Sequence, residues 1–434
     1  MRAALITAAC LFQAVAPSFG EDATIGRYLL TAKEDGALKA RRADGEFAFD
    51  SWPGLPLLRD VEVRIRNDAL DPTNMRYSLR LEPRGFGEGR ASRVYNETQV
   101  KQSRQRNRLL LNRALLERYL MAIELLKHKA LLRINEEMIG VSEDRIKVLD
   151  KRKSTQDFDL GDLIQAEADL TKLKSDNLDV QKEIAILEQR IGNQLGSANR
   201  EGEIGLTHFD TTGLVDVDSI IARVEHDGYA LDTGHVYLVY LKQGLTLADN
   251  RYRLEKAKGL QYFSFLSFSY DVGERLNELE RRDAGKDYDL GRAYSLEAGF
   301  RLPQLTGGNQ DLNRRKEEFL SEKEDYERSR RELEDIMRKD IRDIQSLVIQ
   351  YRYLMARENE VDAQASLKKY IQLSGVDPLV LLSIKAGNLK NSLKLEEVKY
   401  GIIMNWIKVL DAAGQLSKEP LRNFLAAGAP ELAP

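Results

Sequence analysis

The spacing of apolar and polar positions along this chain changes several times, and each change marks an element. In Val61 to Arg66, Val61, Val63 and Ile65 alternate with Glu62, Arg64 and Arg66. In Met75 to Glu82, Met75, Tyr77, Leu79 and Leu81 alternate with Arg76, Ser78, Arg80 and Glu82. Tyr294 to Leu302 sets Tyr294, Leu296, Ala298, Phe300 and Leu302 against Ser295, Glu297, Gly299 and Arg301. A period of two predicts strands with one wet face. A fourth segment, Leu260 to Asp271, is rich in Phe, Tyr and Ser but alternates poorly. The four expected strands, near 59–67, 74–82, 260–271 and 293–302, have about the ~9–11 residues that cross a membrane as tilted barrel strands. A soluble sheet with one wet face has the same pattern, but nothing else in the chain offers an apolar face for such a sheet to cover.

Between the strands the period lengthens to that of helices. Asn309 to Ser374 runs 66 residues without glycine or proline, and Ala91 to Ile139 lacks them as well. As one helix the first of these stretches would reach roughly 100 Å at ~1.5 Å per residue. Asp162 to Ile191 places Leu163, Ala166, Leu170, Leu173, Val180, Ile184, Leu187 and Ile191 at steps of three and four, with Asn177 taking one polar place. Leu395, Val398, Ile402, Trp406, Val409, Ala413 and Leu416 repeat that pattern near the end of the chain. Such narrow seams predict helices that pack side by side without building a solid core. Shorter helices are expected before each strand pair, weakly in Arg27 to Phe49 and more clearly in Ala230 to Lys258.

The pattern is duplicated. Tyr77-Ser78-Leu79 returns as Tyr294-Ser295-Leu296, and Pro83 with Gly85 and Gly87 returns as Pro303 with Gly307 and Gly308. Two repeats of helix, strand, strand, long helix and helix follow, at 21–200 (long helices 91–196) and 230–421 (long helices 309–416), with a linker at 201–229 and a tail at 422–434. Residues 1–20 form a separate unit. Arg2 gives a positive start, Ala3 to Val15 an apolar run, and Ser18-Phe19-Gly20 a small-residue cleavage site, the pattern of a secretory signal. The one cysteine, Cys10, lies within it. A lipoprotein reading of Cys10 leaves too short an apolar run before it, so the exported chain is expected to hold no thiol.

Composition removes other classes. The net charge of −3 gives no general affinity for nucleic acid. His128, His208, His226 and His235 have no metal-ligand spacing, and no nucleophile–base set stands out among the many helical carboxylates. No catalytic residue, cofactor or metal is implied. Four strands cannot close a barrel, and an open edge cannot sit in lipid. Three chains of four strands would close a ring of twelve, although the sequence alone does not fix the number three.

Several stretches carry a family likeness. Phe300-Arg301-Leu302-Pro303-Gln304-Leu305-Thr306-Gly307-Gly308, Asp162-Leu163-Ile164-Gln165-Ala166-Glu167-Ala168, Tyr370 to Ser383 and Trp406 to Leu416 together resemble the TolC-type outer membrane efflux proteins over about Tyr28 to Leu421. The resemblance implies a mainly α fold with barrel strands. It also implies a homotrimer with a 12-stranded outer membrane β-barrel in lipid, continued by a periplasmic α-helical barrel. Such a trimer acts as a passive gated conduit in a tripartite efflux or type I secretion system of a Gram-negative bacterium. Its partners would be a periplasmic adaptor (membrane fusion) protein and an inner-membrane pump or ABC transporter. The turn residues Asp159, Leu160, Gly161, Asp162, Leu373, Ser374, Gly375 and Asp377 would form the periplasmic tip, for adaptor docking and the gate; a plain helix–helix turn is the other reading. The family's paired carboxylates at the closed end fall at Leu381 and Ile384, so no acidic ring is expected. Arg64, Arg66, Arg76, Arg80 and Arg301, against Glu62, Glu82 and Glu297, would line a mildly basic lumen, or would simply wet a pore. The rival function is a periplasmic or surface coiled-coil scaffold that conducts nothing.

Overall fold

A computed structural model of the chain describes residues 25–36, 38–40, 57–67, 75–154, 158–195, 214–226, 231–232, 234–284, 293–301, 309–360 and 377–432. The signal segment with Cys10 lies outside these residues, as do the ends of several turns. The fold is mostly helical with one small antiparallel sheet. Among the described residues no helix is long and apolar enough to cross a membrane.

The sheet holds four strands in sequential order, β1 (Leu58–Asn67), β2 (Met75–Pro83), β3 (Phe263–Asp271) and β4 (Tyr294–Phe300). The register aligns like with like. Val63 pairs with Leu79, Leu79 with Phe268 and Phe268 with Leu296, an apolar row across all four strands. One residue further along, Arg64, Ser78, Ser269 and Ser295 form the matching polar row on the other face. In β3 the alternation is regular from Leu266 to Asp271, with Leu266, Phe268 and Tyr270 on the apolar side. Phe263 and Phe265, next to a register irregularity, obscure it in the sequence.

The helices among the described residues are α1 (Ile25–Leu30), α2 (Glu88–Lys151), α3 (Leu160–Gln194), α4 (Val217–His226), α5 (Val236–Gly259), α6 (Val272–Asp283), α7 (Asn309–Glu360) and α8 (Pro378–Ala412), with a short 3-10 turn at Thr31–Glu34. At about 1.5 Å per residue α2 alone is roughly 95 Å long. It carries Gly140 in mid-helix at a modest cost, since one glycine lowers helix stability by only about 1 kcal/mol. Near the sheet α2 lies against α5, and α5 against α7; farther away α2 packs on α3 and α8, and α8 on α7. The strand-to-helix junction is tight. Gly85 approaches α5 so closely that a Cβ there would stand 2.2 Å from the Ala257 carbonyl oxygen. Gly87 begins α2 at a φ of 78°, which a side chain resists.

Each seam position of α3 is buried or half-buried and its other faces are wet, as the spacing predicts. The second seam differs. From Val398 onward α8 also buries Tyr400, Ile403, Ile407, Leu410 and Ala412, so it is covered nearly all round. This corrects the expectation that the helices form no solid core. A large apolar cluster joins Tyr28 and Leu29 of α1, Tyr119 to Leu126 of α2, Ile220 and Ile221 of α4, Ile402 to Leu410 of α8, and Leu425 of the C-terminal segment. Trp406 stands edge-on to Phe424, with ring centroids 6.1 Å apart. Polar anchors fix the periphery of this core. Tyr119 Oη donates to the Arg422 carbonyl at 2.5 Å, and buried Arg118 donates through Nε to Thr31 Oγ1 at 3.0 Å. Asn112 Nδ2 donates to Asp411 Oδ1 at 2.6 Å, while burial raises the Asp411 carboxyl above the ordinary carboxylate range.

Candidate functional site

The two ends of the molecule hold the residues that the sequence singles out. At the end away from the sheet, both turns are built on the same device. Asp159 is the N-cap of α3, and its Oδ1 accepts from the Gly161 amide at 2.7 Å. Asp377 is the N-cap of α8, and its Oδ1 accepts from the Leu379 amide at 2.8 Å, with Pro378 set in the first turn. A carboxylate in this place satisfies an orphan amide and complements the positive helix terminus. Leu163 and Phe158 pack with Leu149 of α2 and Leu379 of α8, which draws the two turns together. Leu160 and Ile164 remain 59% exposed on the outside of α3, and Asp159, Gly161 and Asp162 are exposed beside them. Leu373, Ser374 and Gly375 lie outside the described residues.

A residue that sequence reasoning missed ties this end together. Arg152, just past α2, donates from Nη1 to Asp377 Oδ2 at 2.9 Å and from Nη2 to Asp377 Oδ1. This is a two-pronged guanidinium–carboxylate pair between turns 225 positions apart in the chain. The Arg152 hydrogen bonds, then the amide of Leu379, hold the Asp377 carboxyl below the usual carboxylate range. No local pattern signals the pair, because Arg152 is one of several bases around the end of α2. Only folding brings it to Asp377.

At the sheet end, Arg64, Arg66, Arg76 and Arg80 share one face with Glu62, Glu82, Glu297 and Asp271, as the alternation predicts. Carboxylates answer most of their charge. Arg64 meets Glu62 at 2.7 Å, Arg76 meets Asp271 at 2.6 Å, and Arg80 meets Glu82 at 3.6 Å. Arg80 also lies over the Phe265 ring, 4.3 Å from its centroid. Arg301 follows β4, and its amide donates to the Tyr262 carbonyl at 2.8 Å. The opposite face is apolar and bare: Val63 is 68%, Ile65 65%, Leu296 73% and Phe300 70% exposed. Among the described residues β1 and β4 each have one strand partner, so both outer edges of the sheet are unpaired. No three His, Cys, Asp or Glu side chains among the described residues gather to hold a metal ion.

This is the fold of outer membrane channels. Over 90% of its length the chain superposes on the Campylobacter jejuni CmeC outer membrane channel, covering 84% of that chain at a TM-score of 0.61 and 12% identity. The outer membrane protein VceC of Vibrio cholerae matches over 90% of this chain and 96% of its own, at a TM-score of 0.62 and 15% identity. The outer-membrane channel OprN matches over 90% of each chain, at 0.64 and 13%. No protein-family model matches the sequence. No curated protein matches it either. The fold is therefore shared with channels whose sequences are only 12–15% identical to this one.

Proposed function

We propose that this chain is the subunit of an outer membrane channel: a homotrimer whose sheets close a twelve-stranded barrel and whose helices continue as a tunnel through the periplasm. It would serve a tripartite efflux or type I secretion system, passing solutes driven by an inner-membrane pump or ABC transporter through a periplasmic adaptor. It performs no chemistry of its own. The observation that carries this reading is the sheet, with one bare apolar face, one charged face and, among the described residues, two unpaired edges. In water that apolar face would be an aggregation hazard, and in lipid the unpaired edges would be untenable. Identical copies remove both faults at once, with lipid outside and water inside. The first half runs α1, β1, β2, α2, α3 and the second α5, β3, α6, β4, α7, α8, so each half brings two strands and two long helices, as the staves of such a wall would. The turn carrying Asp159, Leu160, Gly161 and Asp162, and the turn carrying Asp377, with Leu373, Ser374 and Gly375 before it, form the tip that meets the adaptor. The Arg152–Asp377 pair holds the tip of each subunit together and is part of the gate. Arg64, Arg66, Arg76, Arg80, Glu297 and Arg301 line the barrel lumen.

The test is fractionation followed by mass measurement. The channel reading expects the chain in detergent extracts of outer membrane, with the mass of three copies, and stepwise conductance in planar bilayers. A monomer in the salt-soluble periplasmic fraction would favour the non-conducting scaffold and end this proposal.

A further inference from the structure

The charge on α2 is distributed unlike that of the other long helices. Between Glu97 and Glu117 the chain has five cations, Lys101, Arg104, Arg106, Arg108 and Arg113, and no acid. All five are exposed, and none takes part in an ion pair among the described residues. The contrast with α7 is sharp. There Arg314 pairs with Asp311 at 3.1 Å, Arg315 with Glu318 at 2.6 Å and Arg330 with Glu334 at 3.3 Å, and Arg328 with Asp325. Like charges one turn apart repel, so an uncompensated stripe costs stability unless something answers it.

Three of the five share one face. Lys101, Arg104 and Arg108 fall at steps of three and four, and with Gln105, Asn107 and Gln243 of α5 they line a cleft of about 510 Å³. The lining has amide groups but no carboxylate. Arg106 and Arg113 point to the other flank of α2. Guanidinium groups one turn apart present paired donors suited to phosphate or carboxylate oxygens, and the lysine adds a point charge. A lipid headgroup is not the natural ligand. Lys101 to Arg108 begin 13 residues into α2, so at about 1.5 Å per residue they stand roughly 20–30 Å beyond the sheet, whereas headgroups reach only ~5–8 Å past the hydrocarbon.

We propose that the Lys101, Arg104 and Arg108 cleft binds multivalent oxyanions inside the tunnel, and that the cargo of this channel is a dissolved, phosphate-bearing anionic solute. The inference rests on the channel reading and deepens it. It places the uncompensated charge in the helical wall below the barrel, since the strand arginines are largely matched by carboxylates.

Pyrophosphate is the probe, applied to the full-length trimer in planar bilayers and by calorimetry in detergent. Pyrophosphate should bind and block chloride current in a salt-dependent way. Combined Lys101→Ala, Arg104→Ala and Arg108→Ala should raise the half-blocking concentration on the order of tenfold or more, since charged hydrogen bonds to the oxyanion are lost. Arg106→Ala with Arg113→Ala, on the opposite flank, should leave it within about twofold. Equal effects from both sets, or none from the triple variant, would mean a diffuse field and no site. Binding without block would place the cleft on the outer wall and overturn the cargo assignment. Absence of binding, together with loss of the trimer in Arg104→Glu/Arg108→Glu, would make the stripe a contact between copies and overturn the inference too. A wild-type trimer that binds pyrophosphate yet never conducts would instead sink the channel reading, which separates the two failures.

Discussion

The sheet and the mid-helix core use the same apolar side chains to opposite ends. Around Trp406, helices α1, α2, α3, α4, α7 and α8 and the C-terminal segment of one chain pack into a single apolar cluster, and Trp406 itself is 1% exposed. In the sheet, Val63, Ile65, Leu296 and Phe300 share one face that no described residue of the chain covers. The core is complete in one copy, whereas the sheet is one part of a larger surface. A long-helix protein therefore needs only one compact clamp of its own. The remainder can be left for lipid and for identical neighbours.

Breaking the clamp should have the largest effect. Trp406→Ala removes a fully enclosed ring and should cost about 3–5 kcal/mol of stability, read from denaturant unfolding of the purified chain. Next is the bare face of the sheet. Leu296→Arg should cost about 2–4 kcal/mol in lipid vesicles, where the row meets hydrocarbon, and Leu296→Thr much less. If Leu296→Arg proved harmless in vesicles, the sheet would not face lipid and the contrast with the core would lose its meaning.

The tip gives a smaller and pH-dependent test. Arg152→Ala should speed amide exchange at Leu379 and its neighbours by roughly 1.4- to fivefold, as expected for the ~0.2–1 kcal/mol of an exposed pair. The Asp377 carboxyl titrates below its ordinary range in the folded chain. Its contribution is therefore fully present above the unfolded value of about 4 and is lost as pH falls through the lower folded value. Wild-type protection at Leu379 should hold from neutral pH down to about pH 4 and decline below it, and Arg152→Ala should flatten that decline. Smallest of all, Arg330→Ala on α7 breaks an exposed pair with Glu334 and should move stability by no more than about 0.5 kcal/mol. A larger loss would show α7 to be clamped in a way that this single chain does not reveal.

Much of the fold was legible because helix and strand periods differ. Glu62 to Arg66 and Tyr294 to Phe300 announced their faces, and the α3 seam was readable position by position. β3 was hard to read because Phe263 and Phe265 occupy sequence positions where a polar residue would keep the alternation. The register irregularity returns Phe263 to the apolar face opposite Phe300, while Phe265 stays under Arg80. A signal for α4 existed in Val217, Ile220, Ile221 and Val224, one helical face, but it is short and lies within the 201–229 stretch. The cap at Asp159 was visible as an acid before a helix start. The partner of Asp377 was not visible, since Arg152 is 225 positions away and no local rule selects it among nearby bases.

By itself the sequence determined where the rods and strands begin and which side of each is apolar, because those are properties of neighbours within a turn or two. The tertiary structure alone decided that α8 is covered nearly all round at Trp406, that the two tip turns are tied through Arg152 and that Lys101, Arg104, Arg106, Arg108 and Arg113 of α2 form no ion pair among the described residues. Each of these depends on groups hundreds of positions apart meeting in space, and local spacing carries no record of such distant partners.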